Sequence, residues 1–408
     1  MGAIDRQATA RWPLGAWIAA SIALAWPSTS RADPSRPGLL DAITKKARGE
    51  IAFYGDTDSV QVFTSAWKAT VDNPVSGWSA NGSYLVDVVS AASVDIVSTA
   101  SSHWTEVRQA GTLGANYKPG AIGVGITGAV SREPDYLSLS AGGRLSFDVH
   151  DKTVLPTVGY SYGHDTAGRT GTPFSVYSLD LTRHAFDLGS EFVLDRSTTL
   201  SLNASFLLER GDQEKPYRFL PLFSPAVAKA IEPGASIALV NNERLPGRIA
   251  EHLPNRRNRF ALSGRFARRL ARATFIVNER VYADDWGLKA STTDMHLVFD
   301  VGGRLEIAPH FRGHVQSSVD FWRLAYSAVV STDGVLDVPL YRTGDRELSA
   351  LSSGTLGIGF RYRVLPLATP WSLVVGLRSE VMATIFHDAL FVRDRKAYLN
   401  AVDAEIEF

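Results

Sequence analysis

The sequence contains no cysteine. That excludes disulfides, thiolate metal sites, cysteine nucleophiles and a lipidated N-terminal cysteine, and it suits an oxidising envelope compartment. Net charge is absent too: 42 Lys and Arg offset 42 Asp and Glu over 408 residues. Nucleic acid would want a basic surface, so no nucleic-acid partner is expected. No run of about eighteen apolar residues occurs, so membrane-spanning helices are not expected. GxSxG, P-loop and HExxH sequences are also missing. Gly123-x-Gly125-x-x-Gly128 matches a dinucleotide fingerprint by letter, but it sits in an alternating stretch with no helix after it. No catalytic residue and no cofactor is assigned, and an enzyme is not expected.

What the chain does have is alternation. From Leu305 one set of residues runs Leu305, Ile307, Pro309, Phe311, Gly313, Val315, Ser317, Val319, Phe321. The interleaved set runs Glu306, Ala308, His310, Arg312, His314, Gln316, Ser318, Asp320. A period of two marks a strand, since successive side chains point to opposite faces. Strands this long, joined by tight turns, predict a transmembrane antiparallel up-and-down β-barrel, apolar towards lipid and polar towards a wet interior. A mean hydropathy near zero, −0.03, fits, because every second wall residue can be polar.

The N-terminus reads as a secretory signal over residues 1–32. Arg6 and Arg11 precede a short apolar core from Pro13 to Trp26, and Ser30-Arg31-Ala32 fits a small-x-small cleavage site. Residues 33–45 follow as a polar periplasmic tail, and 46–408 as the barrel, placed in the bacterial outer membrane against its lipid.

The pattern predicts about sixteen strands, the even count of a bacterial barrel. The long connections expected are 91–105, 165–183, 210–258, 322–350 and 387–395, all after odd-numbered strands. Asp195-Arg196-Ser197 and Gly302-Gly303-Arg304 are short turns at the opposite ends. Long outer loops and short periplasmic turns sort by strand parity in this way; a soluble sandwich does not sort them so. The last strand alternates to Phe408, with Tyr398, Val402 and Ile406 on the same face. A closing strand that ends in an aromatic residue resembles the signal read by the outer-membrane assembly machinery.

Tyr282-Ala283-Asp284-Asp285-Trp286-Gly287-Leu288 resembles a motif of an uncharacterised family of bacterial outer-membrane barrels, domain of unknown function 3570. Val86-Asp87-Val88-Val89-Ser90-Ala91-Ala92-Ser93, Lys215-Pro216-Tyr217-Arg218 and Arg257-Asn258-Arg259 match further stretches. The resemblance runs from about Arg48 to the end, with Ala91 where the family is expected to prefer glycine. It implies an envelope barrel with no agreed activity. It also implies periplasmic redox partners, since members sit beside thioredoxin-like and flavin-attachment proteins.

Three sets of residues can carry chemistry. Asp284 and Asp285 lie in a predicted outer turn with Trp286, which is expected in the interfacial aromatic girdle. They are a structural turn or a carboxylate site for a hard cation. Pro216, Tyr217 and Arg218 open the longest loop. They anchor it, with Arg218 paired to a wall carboxylate, or they fold as a plug with Arg218 as a selectivity charge. The third set lies on the inner wall. A three-residue turn after Val301 pairs Asp294 with Arg312, His296 with His310 and Asp300 with Glu306, each pair about 5 Å apart. His296 and His310 can then share a transition metal, whereas His310 and His314, roughly 13 Å apart on one strand, cannot. Otherwise these residues, with Arg265, Arg280, Arg361, Arg378 and Glu380, are hydrated lumen charges.

The expected function is a channel or transport barrel for small polar or charged solutes, its lumen controlled by loops 210–258 and 322–350. The alternatives are a non-conducting scaffold for an envelope redox or metal-handling system, and a rim-active enzyme.

Overall fold

The computed structural model describes residues 43–91, 104–330, 336–365 and 371–408. The signal and nearly all of the tail expected at residues 1–45 lie outside them. Sixteen long strands form one closed antiparallel barrel. They are β1 Thr44–Asp56, β2 Val60–Asn73, β3 Trp78–Ala91, β4 Trp104–Tyr117, β5 Ile122–Glu133, β6 Tyr136–Phe147, β7 Val154–Ala167 and β8 Leu179–Asp195. Then come β9 Thr198–Gly211, β10 Arg256–Arg269, β11 Ala273–Asp284, β12 Lys289–Val301, β13 Leu305–Gln316, β14 Leu351–Arg363, β15 Ser372–Phe386 and β16 Asp394–Glu407. Neighbours in sequence pair in space, and β1 pairs with β16 to close the ring.

Strand length follows from the membrane. A 12-residue strand such as β5 rises about 40 Å. Tilted by about 45° it spans about 29 Å, enough for an outer-membrane apolar band about 25 Å tall. The outward residues are large and apolar: Leu113, Ile126, Leu188, Leu356 and Val381 are all exposed on the ring's outer face. A bare apolar surface of this extent is one that lipid covers. Aromatic residues mark its edges, with Phe53, Phe206 and Tyr398 towards one rim and Tyr117, Tyr362 and Trp371 towards the other.

The four longest connections, 92–103, 168–178, 212–255 and 317–350, all follow odd strands, so they share one rim. Connection 387–393 is there too, although 364–371 on the other rim is as long. The outer rim carries its own folded cap. In it are two short helices, α1 Pro225–Ala230 and α2 Ile237–Glu243, each N-capped by a serine hydroxyl, Ser224 and Ser236. Phe219 and Leu220 pair antiparallel with Ala250 and Ile249 inside loop 212–255, and Leu222 and Phe223 pair in parallel with Tyr326 and Ser327, so the two long loops are built against each other.

The cap has the molecule's dry cores. Trp286, Leu288, Val319, Trp322, Leu351, Phe386 and Val392 form one; Phe223, Ile231, Ala235 and Val240 form another. This explains a departure from the sequence reading. The alternation from Leu305 predicts a strand to Phe321, but β13 stops at Gln316. The register continues on paper because Val319 is apolar; in the fold Val319 turns into the cap core and its N–H donates to the Leu348 carbonyl.

Candidate functional site

The inner wall from β10 round to β1 carries a lateral network of charge. Asp294 on β12 sits between two imidazoles: Oδ1 is 2.8 Å from His296 Nε2, and Oδ2 is 3.1 Å from His310 Nε2. The expected pairings Asp294–Arg312, His296–His310 and Asp300–Glu306 are all present. Arg312 Nη1 approaches Asp294 at 3.9 Å. His310 Nδ1 lies 3.3 Å from Glu380 on β15, and Glu380 is 3.8 Å from Arg378. Arg378 in turn is 4.0 Å from Glu50 on β1, which Arg48 holds at 3.1 Å. Towards β10, Asn278 donates to Asp294 and accepts from Arg265.

His310 and Glu380 are not on adjacent strands. The intervening residue on β14 is Gly357, in register with both. A Cβ there would lie 2.7 Å from Glu380 Cγ and 3.3 Å from His310 Nδ1. The missing side chain at Gly357 is therefore a window through which charges meet across a strand. Gly376 on β15 is likewise in register with Arg361 on β14 and Asp403 on β16, and a Cβ there would collide with the Asp403 carboxylate.

Asp294, His296 and His310 bring three ligand atoms within 4.8 Å of one another, so the structure adds Asp294 to the expected histidine pair. The rings stack at 4.2 Å and 8°. In parallel rings the nitrogen lone pairs run side by side and do not converge, so sharing one ion requires a ring to turn.

Asp284 and Asp285 are a turn. Asp284 Oδ2 accepts from Arg257 Nε at 2.8 Å and from Tyr282 at 2.8 Å, and Oδ1 accepts the N–H groups of Trp286 and Leu288. Asp285 accepts from the backbone and side chain of Asn258. With these oxygens committed to protein donors, the cation site expected there is not formed. Trp286 is also not in the lipid girdle. It is 4% exposed in the cap core, its indole N–H donating to the Arg256 carbonyl, with Arg257 stacked on its ring.

Pro216, Tyr217 and Arg218 lie in the cap. Arg218 pairs with loop carboxylates, not with the wall: its Nη1 is 2.5 Å from Asp345 and 3.6 Å from Glu251. Lys215 Nζ is 2.7 Å from Asp345, and Thr343 donates to Glu251. Burial pushes Asp345 up, but Arg218 and Lys215 pull it further down, and it rests well below the usual carboxylate range. Burial dominates at Glu251 and raises it, although Arg218 and Lys215 act against that.

This buried cluster joins the loops across the mouth. Loop 212–255, rooted between β9 and β10, reaches the β5–β6 turn: Tyr217 Oη accepts the Thr170 N–H at 2.7 Å, and Thr170 donates to Asp135 at 3.0 Å. Loop 317–350, rooted between β13 and β14, reaches the β1–β2 turn, where Arg346 pairs with Asp58 at 2.6 Å. Arg218–Asp345 links the two loops. The anchor points fall at every fourth strand of the ring, so the tied loops span it from side to side. Neither Asp345 nor Glu251 was singled out from the sequence, where they are two acids in Pro-rich loops with no periodic pattern to place them.

No match is found among curated protein sequences. Among solved structures the chain is similar to Pseudomonas aeruginosa OccK5 (OpdH), with 11% identity and a TM-score of 0.41, covering 91% of this chain and 100% of that one. It is similar to P. aeruginosa OprD at 8% identity and a TM-score of 0.42, covering 91% and 97%. The ferric enterobactin receptor PfeA of the same organism, in mutant form, gives 11% and 0.42, covering 83% of this chain and 53% of the receptor. Residues 180–377 match the family described as "Protein of unknown function (DUF3570)". That stretch holds the Tyr282–Leu288, Lys215–Arg218 and Arg257–Arg259 motifs, and over it this sixteen-stranded barrel is similar to the DUF3570 family.

Proposed function

We propose that the protein is a loop-gated outer-membrane channel for small polar solutes, with a preference for anions. The observation that carries this reading is the asymmetry between paired and solvated charge on the inner wall. The acids in the network are partly covered: Asp294 and Glu380 have side chains 19% and 18% exposed, and Glu50 and Glu405 27% and 31%. The inward groups most open to water are mainly bases, namely Lys68, Arg144, Arg280 and Arg312. A wet wall of this size suits a solute path, and solvated bases along it lower the barrier for anions. The tied loops at the mouth supply the gate.

The test is conductance of the purified barrel in a planar bilayer, before and after removal of residues 219–250 with Pro216 to Arg218 kept. The expected result is rare openings in the intact chain, frequent ones after the deletion, and anion selectivity that falls in an Arg280→Gln/Arg312→Gln variant. Silence of both chains, each shown by heat-modifiable gel mobility to be folded, would replace the channel with a non-conducting scaffold.

A further inference from the structure

Glu106, Glu133 and Asp135 come together at the outer rim, far from the histidine pair. Glu106 lies near the start of β4, Glu133 ends β5, and Asp135 is in the β5–β6 turn. All three are buried, at 8%, 6% and 4% exposure, and each offers a carboxylate oxygen within 4.8 Å of the others. The β4–β5 ladder stops at Gln109↔Arg132, so the two strands part just where these side chains sit.

Carboxylates this close are often held by bases, and Arg108, the base paired with Glu133 among the described residues, does not complete that side chain. Arg108 Nε is 3.9 Å from Glu133 Oε1, beyond hydrogen-bond reach, and that N–H is given to Ser131 Oγ at 3.0 Å. Arg108 Nη1 is shared with Asp87 at 3.8 Å. Glu133 Oε1 is therefore a buried carboxylate oxygen, on a side chain 3% exposed, with no hydrogen-bond donor. Its carboxylate lies in a group with two more. A buried carboxylate oxygen left without a hydrogen-bond donor is costly until a partner completes it.

We propose that Glu106, Glu133 and Asp135 bind a calcium ion at the outer rim of the barrel. Hard oxygen donors, all carboxylates and with no nitrogen or sulfur among them, are what calcium takes. Asp135 is also the anchor that Thr170 and Tyr217 grip. The ion would thus brace the point where loops 168–178 and 212–255 meet the wall. Binding stands or falls independently of whether the barrel conducts.

The experiment is calorimetric titration of the EDTA-stripped, folded barrel with CaCl2, paired with thermal unfolding in calcium and in EDTA. The expected result is saturable binding of about one ion, at the roughly millimolar or tighter affinity of extracellular sites, and a higher unfolding temperature in calcium. Glu133→Gln is expected to weaken binding at least tenfold yet unfold no earlier than the native chain in EDTA, because it removes an unsatisfied charge. Glu306→Gln, a wall carboxylate at the other rim, is expected to leave the titration unchanged. No calcium response up to about 10 mM would overturn the site. So would a Glu133→Gln variant that binds as the native chain does, which would assign Glu133 to Arg108. Magnesium binding as tight as calcium would overturn the assignment to calcium.

Discussion

Replacing Asp345 by Asn should open the mouth. The substitution keeps the shape of the side chain and leaves an oxygen to accept the Glu347 N–H, as Asp345 Oδ1 does at 3.2 Å, so it changes charge and little else. What is lost is the partner of Arg218 at 2.5 Å and of Lys215 at 2.7 Å. Removing one member of a buried pair typically costs 3–5 kcal/mol, since the other charge stays buried and uncompensated. Arg218 and Lys215 keep 25% and 24% of their side-chain surface in water, which puts the estimate at the low end, about 3 kcal/mol. At 1.36 kcal/mol per decade that shifts the closed-to-open ratio about 150-fold. Single-channel recording reads this as a rise in open probability. A double variant, Asp345→Asn with Arg218→Gln, should regain part of the closure because the stranded cation is gone. The pH dependence has a definite sign. Asp345 is lowered in the closed cap, so its contribution is full above the ordinary Asp range and is lost as pH falls below it. Glu251 is raised, so its contribution is full below the ordinary Glu range and fades as pH rises through its shifted value. Folded Asp345→Asn channels with the same open probability as the native chain would refute the argument that this cluster latches the mouth.

Three further outcomes follow from the geometry. Gly357→Ala places a methyl 2.7 Å from Glu380 Cγ and 3.2 Å from the Ser379 carbonyl, and should cost about 1–3 kcal/mol as overpacking, read as a lower unfolding temperature. Trp286→Ala empties the centre of the cap core and should cost about 3–5 kcal/mol. Protease sensitivity should then appear in loops 212–255 and 317–350 while the heat-modifiable shift of the barrel stays. His296→Ala/His310→Ala tests the stacked pair: because the lone pairs do not converge, zinc binding by the purified barrel should be unchanged, and its loss would show that a ring does turn to form the site.

The wall was legible and the cap was not, for one reason. A strand between lipid and water writes its two environments into alternate residues, so Ile122, Val124 and Ile126 announce themselves, and loop lengths then fix which rim is which. The cap follows no period. Val319 looked like the next residue of β13 because the alternation has no mark for the point where the chain leaves the wall. Trp286 looked like a girdle residue because an aromatic beside a turn is common to girdles and cores. The register of β12 and β13 was readable from a three-residue turn, which is why His296 and His310 were found. Glu106 and Glu133 were not, because their proximity depends on where the β4–β5 ladder ends. Gly357 and Gly376 gave no signal either, since a glycine in a wall carries no sign of what passes over it.

The charge network of the inner wall bears on how the ring stays shut. β1 and β16 lie at opposite ends of the chain, and joining them closes a loop of the whole barrel, which costs about 5 kcal/mol in chain entropy. Backbone pairing from Lys46↔Glu407 to Asp56↔Ala397 offsets it along the seam. Arg48–Asp403 and Lys46–Glu407 stitch across that seam, and Arg378–Glu50 reaches over β16 from β15 to β1. The joint is thus lapped like a hoop whose ends overlap and are not merely butted. Lateral parting at β1–β16 would have to break the ties from β1 to β16 and the tie from β1 to β15 together.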